Sequence, residues 1–197
     1  MRCVCTRVSR MDAPDVISLE LVSYAEEPLL ANLLELYIHD LSAVFPGLEV
    51  GPDGRFGYPR LQEYWTQPTR RFPFLLRCDG RLAGFALVQR GSPVADDPDT
   101  LDMAEFFVLR QYRRRGIGAR AAALVWKRLP GSWTIRVLDT NARALAFWRE
   151  AISGFLGAPA APIPVRTASG AWLVFKFDTS GADGDGWPGA TAKPNDA

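Results

Sequence analysis

The sequence predicts a single mixed α/β domain, and three observations carry that reading. Segments with a two-residue apolar period alternate with segments of helical period along most of the 197 residues. Asp79-Gly80 lies between two apolar runs, a strong hairpin signal. Arg113-Arg114-Arg115-Gly116-Ile117-Gly118 joins a strand-like run to a helix-like one. The length suffices for one core without staples, and 48% apolar with 23% charged residues is a soluble, globular balance.

Residues 1–15 read as an irregular extension, with Met11 a second candidate start of translation. Ile17 to Ser23 is a first strand. Glu26 and Glu27 place carboxylates in the first turn of a helix, where they complement its dipole. Leu30, Leu33, Leu34, Tyr37 and Leu41 make its apolar face, and Pro46-Gly47 stops it. After a turn-rich stretch from Glu49 to Gly57, Pro59 opens a short second helix through Trp65, which Pro68 ends. Phe72 to Arg77 and Arg81 to Gln89 are the hairpin arms. An acidic loop, Ser92 to Thr100, leads to a strand over Met103 to Leu109. The glycine turn feeds a helix over Ala119 to Leu129, closed by Pro130-Gly131. Trp133 to Leu138 is a strand, and Asp139-Thr140-Asn141 is a cap cluster for a fourth helix. Pro159, Pro162 and Pro164 favour a loop over a regular strand between Ser153 and Ser169. Ala171 to Phe177 closes the sheet. The folded domain is thus expected over 16–178, with a disordered tail over 179–197, rich in Gly, Asp and Pro.

Several function classes are disfavoured. A net charge of +1 argues against general nucleic-acid binding. No apolar run approaches the ~18 residues that span a bilayer, and 1–15 lacks the apolar centre of a signal peptide. Cys3, Cys5 and Cys78 are an odd, sparse set, which fits a reducing cytoplasm better than a disulfide framework. With a single histidine and no C-x-x-C, no metal is expected.

A glycine turn that opens a helix leaves backbone N–H groups pointing outward, and with the helix dipole these attract phosphate. Gly116 and Gly118 permit positive φ and close approach. Arg113, Arg114 and Arg115 add charge and planar donors. A multiply phosphorylated small molecule is the expected guest; a solvated basic turn is the plain alternative.

Arg113-x-x-Gly116-x-Gly118 resembles the signature of the GNAT acyltransferase superfamily, Q/R-x-x-G-x-G/A. Val108 to Arg113 is similar to that family's strand end and lead-in, and Asn141-Ala142-Arg143-Ala144-Leu145-Ala146-Phe147-Trp148 to its N-x-x-A-x-x-F-Y helix. Tyr37-Ile38-His39-Asp40-Leu41 and Met103-Ala104-Glu105-Phe106 are similar to a bacterial branch of predicted acetyltransferases. The likeness covers about Ile17 to Asp178, and the element order βααβββαβα(β)β is the family's. The resemblance implies the GNAT fold, a mixed, mostly antiparallel sheet of six to seven strands with about four helices. It also implies acetyl-CoA as co-substrate and transfer of acetyl to a primary amine by direct attack in a ternary complex. The acceptor would be a small molecule or peptide, and the protein a monomer or homodimer.

The resemblance also distributes roles. Arg113 to Ala119, with Ile117 and Gly118 between, would hold coenzyme A. Backbone N–H groups of Val108 and Leu109 would meet the acyl and pantetheine groups. Asn141 would bond pantetheine, or act only as a helix cap. Trp148 stands where many relatives carry tyrosine; it would pack against the pantetheine arm, but an indole does not deliver a proton. The acid for the leaving thiolate is then water or another group, with Tyr37, Tyr58 and Tyr64 as candidates. The missing phenol keeps open a CoA-binding module without transferase activity.

An amine nucleophile must lose a proton. Glu105 is the first candidate base, because its apolar flanks would raise its pKa. His39 is the second. Asp40 would orient a cationic substrate or bond the local backbone. Tyr58, Tyr64 and Trp65, with Phe56, make either an aromatic wall beside the acceptor or plain core. Cys78 lies on a hairpin strand away from the thioester, so no acyl-carrying nucleophile is expected.

Overall fold

The computed structural model describes residues 15–45, 47–167 and 170–181. The extension before Asp15, Met11, Pro46 and the tail beyond residue 181 lie outside the described residues. Among the described residues seven strands form one sheet in the order β1-β2-β3-β4-β5-β7-β6. They are β1 (Ile17–Leu21), β2 (Arg71–Cys78), β3 (Arg81–Arg90), β4 (Leu101–Val108), β5 (Ser132–Leu138), β6 (Ile163–Thr167) and β7 (Gly170–Asp178). Every neighbouring pair is antiparallel except β4 and β5, which are parallel. Asp79 and Gly80, at φ 50° and 73°, make the two-residue turn between β2 and β3.

Two faces of this sheet are covered. On one, Leu30, Leu33 and Leu34 of α1 (Glu27–Ser42) pack on Leu75, Phe85, Leu87 and Phe107. On the other, α3 (Ile117–Arg128) and α4 (Ala142–Leu156) bury Val125, Trp126 and Ile152 against Phe74, Met103, Ile135 and Phe175. Thr179, just past β7, is 2% exposed and donates its N–H to the Gly131 carbonyl, so packing runs one residue beyond the expected boundary.

Two elements differ from the sequence expectation. The second helix shrinks to α2 (Glu63–Thr66). The N–H groups of Leu61, Glu63, Tyr64 and Trp65 each reach three residues back, the tighter 3₁₀ spacing, and Pro59 starts only a run of turns. The proline-rich segment does form a strand, β6, paired with β7 at the sheet's edge. Pro164 is tolerated because an edge strand needs ladder donors on one side only.

Two irregularities in β4 build the site. Leu87 pairs with Glu105 and Val88 with Met103, so Ala104 is an extra residue, a β-bulge. And the β4–β5 ladder covers only Leu101↔Trp133 and Asp102↔Thr134, beyond which the strands part. On the other side β3 hugs β4. A Cβ on Gly84 would sit 1.9 Å from the Phe107 carbonyl oxygen.

Candidate active site

Where β4 and β5 part, a cavity of about 260 Å³ opens. Tyr37, Leu41 and Phe45 line it from the α1 side, and Asn141, Ala144 and Trp148 from the α4 side. Residues from both faces meet in one space because no ladder closes the sheet there. Glu105 on β4 and Arg136 on β5 form its walls.

The strand edge above the gap is free to donate. Leu109 gives its N–H to the Ala83 carbonyl at 2.8 Å, which makes Val108↔Gly84 a non-hydrogen-bonded pair. The N–H groups of Val108 and Phe106 therefore turn toward the gap. This corrects the expected pair of donors: Leu109 is spent on β3, and Phe106 takes its place. The Val108 carbonyl, on the same edge, accepts from Arg113 Nε at 2.7 Å.

At the helix start the two glycines serve different ends. Gly116 caps α3 at φ 72° with nothing near its missing Cβ, so conformation alone demands glycine. Gly118 is already helical, contrary to the expected positive φ; a Cβ there would lie 3.0 Å from Phe147 Cε2. Ile117, Gly118 and Ala119 open the helix, where N–H groups have no intrahelical acceptor. The arginines are not alike either. Arg113 pairs with Asp40 at 2.7 Å and lies over the Phe107 ring. Arg115 pairs with Asp15 at 2.6 Å. Arg114, exposed and at φ 59°, has no partner among the described residues.

Glu105 carries the site's unusual chemistry. Burial raises its pKa above the ordinary carboxylate value, while hydrogen bonds from Tyr37 and Tyr58 and the charge of Arg136 pull the other way. The Tyr58 hydroxyl donates at 3.1 Å. Burial and the neighbouring carboxylate push both phenols up, Tyr37 well above its usual value, so both stay protonated donors.

Other candidates fall elsewhere. His39 is exposed on α1, its ring 6.5 Å from that of Phe56, and does not line the cavity. Asp40 is held by Arg110 and Arg113, which lower its carboxyl despite the opposing effect of burial. Tyr64 is 1% exposed within the core, and Trp65 donates its indole N–H to the Val22 carbonyl. Asn141 caps α4 by accepting from the Ala144 N–H at 3.1 Å. Trp148 is buried among Phe106, Phe147 and Trp126.

Sequence reasoning missed Asp102, Arg136 and Trp172. Asp102 is 0% exposed and binds Arg136 through both carboxylate oxygens, at 3.1 and 2.9 Å. Arg136 also lies over the Trp172 ring, 5.5 Å from its centroid. The visible signal was a charge inside an otherwise apolar strand run, at Asp102 and again at Arg136. Among the described residues one cluster could offer three atoms to a cation: Asp15, Cys78 and Asp79. Asp15 is taken by Arg115 and Asp79 by the Val16 N–H. No helix of the described residues is long and apolar enough to cross a membrane.

Residues 31–155 match the sequence model of the Acetyltransferase (GNAT) family. No curated protein sequence matches the chain. Among solved structures it is similar to an acetyltransferase from Thermus thermophilus, at 17% identity over 83% of this chain and 97% of that one, TM-score 0.59. It is similar to yncA, a putative acetyltransferase from Salmonella typhimurium with its cofactor acetyl-CoA, at 12% identity over 83% and 94%, TM-score 0.55. It is similar also to AAC(6')-Ib in complex with ribostamycin and coenzyme A, at 14% identity over 83% and 94%, TM-score 0.60. At such identities these likenesses speak for the fold.

Proposed function

Since the chain belongs to the GNAT acetyltransferase family, we propose that it moves acetyl from acetyl-CoA to a primary amine by direct attack in a ternary complex. One observation carries the reading: a gap through the sheet connects the α4 face to a half-buried carboxylate on the α1 face whose pKa desolvation raises. The residues fit coenzyme A. The N–H groups of Ile117, Gly118 and Ala119 suit its pyrophosphate, with Arg114 free to add charge. Asn141, Ala144 and Trp148 line the side of the gap where the pantetheine arm would pass.

Val108 and Phe106 N–H groups would polarise the thioester carbonyl, donors fixed in place before charge develops. Glu105 would take the ammonium proton as nitrogen attacks the carbonyl carbon and the carbon–sulfur bond breaks. Trp148 supplies no acid. Of the three candidate phenols only Tyr37 lines the cavity, and its hydroxyl bonds Glu105, which offers a short proton path toward the thiolate. Neither a protein nucleophile nor a covalent acyl-enzyme is needed. Cys78 is buried on β2, with its thiol pushed up by burial.

The test is amine-dependent thiol release from acetyl-CoA across an amine panel. Release that depends on both substrates and falls in Glu105→Gln supports the proposal. Tight coenzyme A binding with no release for any amine would leave a CoA-binding module instead.

A further inference from the structure

Arg136 has more donors than its fold role consumes. Its Nε and Nη2 are taken by the fully buried Asp102, and Nη1 has no partner among the described residues. The side chain is 21% exposed, and the surface it shows lines the cavity. Its plane is fixed from two sides: by the bidentate carboxylate and by the Trp172 ring. Asp102 is itself held by Thr134 Oγ1 at 2.9 Å and Gln89 Nε2 at 3.2 Å, and Gln89 accepts from Arg71 at 2.8 Å. A polar row thus runs across β2, β3, β4 and β5 on one face and ends in a guanidinium donor that looks into the cavity. Holding charges inside a sheet is costly unless each is paired, and a hydrophobic pair at these positions would serve the core as well.

Glu105 and Arg136 flank the same cavity, on β4 and β5, on the same face of the sheet. One wall suits an ammonium nitrogen and the other an anion. Apart from Tyr37, whose hydroxyl bonds Glu105, the remaining lining on this face is apolar: Leu41, Phe45, Leu138 and Trp172. The Asp102–Arg136 pair is neutral overall, with the Nη1 N–H groups left to give, which suits a monoanion better than a phosphate dianion.

Resting on the transferase reading above, we infer that the acceptor is an amino acid-like amine: a primary amine with a carboxylate on the same or the neighbouring carbon and an apolar side chain, its carboxylate bound by Arg136. Asp102 is then a positioning residue, which acts on the substrate only through the arginine.

The experiment compares matched pairs under one assay: α-amino acids with apolar side chains against the same amines without the carboxylate, such as phenylalanine against phenethylamine. A charge-assisted hydrogen bond gives the amino acid an advantage of about 10- to 100-fold in kcat/KM, expressed mainly in KM. Arg136→Gln alone leaves Asp102 buried and unpaired and risks the fold. The decisive variant therefore carries Asp102→Asn and Arg136→Gln together, with Arg136→Lys as the conservative companion. Discrimination should collapse to less than about threefold in the double variant and survive in part with lysine. Equal use of both pair members by the wild type, or discrimination that survives the double variant, overturns the inference and leaves the transferase reading intact. If neither member is acetylated, the comparison moves from turnover to binding, and the amine panel alone decides the transferase reading. Thermal stabilisation by phenylalanine over phenethylamine, with coenzyme A present, then decides recognition by itself. A preference lost in the double variant supports it, and no preference overturns it.

Discussion

Asp102 and Glu105 stand three residues apart on β4 yet face the same side of the sheet. Strict alternation would put them on opposite sides. The extra residue Ala104 absorbs the difference, and it turns Glu105 from the α3–α4 side to the α1 side, beside Tyr37 and Tyr58. The bulge thus sets which face holds the carboxylate.

If Glu105 is the base, Glu105→Gln should lower turnover at pH 7 by about 10²- to 10⁴-fold and leave coenzyme A affinity nearly unchanged. The deficit should narrow as pH rises and free amine accumulates. His39→Gln, exposed and off the cavity, should cost less than about tenfold. A pH–rate profile of both variants with one verified acceptor is the check, and a collapse in His39→Gln alone would reverse the assignment.

The raised pKa of Glu105 also has a stability signature. Between the ordinary value of 4.5 and its higher folded value, the native state keeps a proton that the unfolded chain has lost. Stability should therefore fall as pH rises through that window. Glu105→Gln removes this slope, so the variant should gain on the wild type above pH 4.5 and not below it. Chemical denaturation at a series of pH values measures the difference, and parallel curves would argue against a desolvated carboxyl.

The two turn glycines should separate by substitution. Gly116→Asn keeps a side chain that tolerates left-handed backbone and should cost no more than about 1 kcal/mol. Gly118→Asn drives a Cβ into Phe147 and should cost on the order of 1–3 kcal/mol. Gly116→Val, β-branched at φ 72°, should abolish thermal stabilisation by coenzyme A. Melting curves with and without coenzyme A read all three.

Gly84→Ala is the most damaging small change expected in the sheet. Its Cβ would overlap the Phe107 carbonyl, so β3 and β4 must separate. A loss of about 3 kcal/mol or more is expected, above the ordinary overpacking cost, because backbone rather than a side chain must yield. An unchanged denaturation midpoint would contradict the close approach.

What was legible in the sequence was local. The apolar face of α1, the Asp79-Gly80 turn and the helix opening at Gly116 each follow from a few neighbouring residues. Glu105 was also legible, as a carboxylate among apolar neighbours. The spent Leu109 amide was not, because it depends on the phase of the β3–β4 ladder. Nor was the clasp of Arg136 by Asp102, since the two meet only where parallel strands begin to part. Pro164 misled for the same reason: its cost depends on whether the strand is an edge, which the segment itself does not encode.

The gap between β4 and β5 is lined from both faces of the sheet, and this has a kinetic consequence. On the transferase reading, the donor would lie against the α4-side lining and the acceptor against the α1-side lining, each in its own part of the gap. Neither needs to wait for the other, and neither product needs to leave first to release its companion. Steady-state plots should then intersect rather than run parallel. Free coenzyme A should compete with acetyl-CoA but not with the amine, and acetylated product with the amine but not with acetyl-CoA.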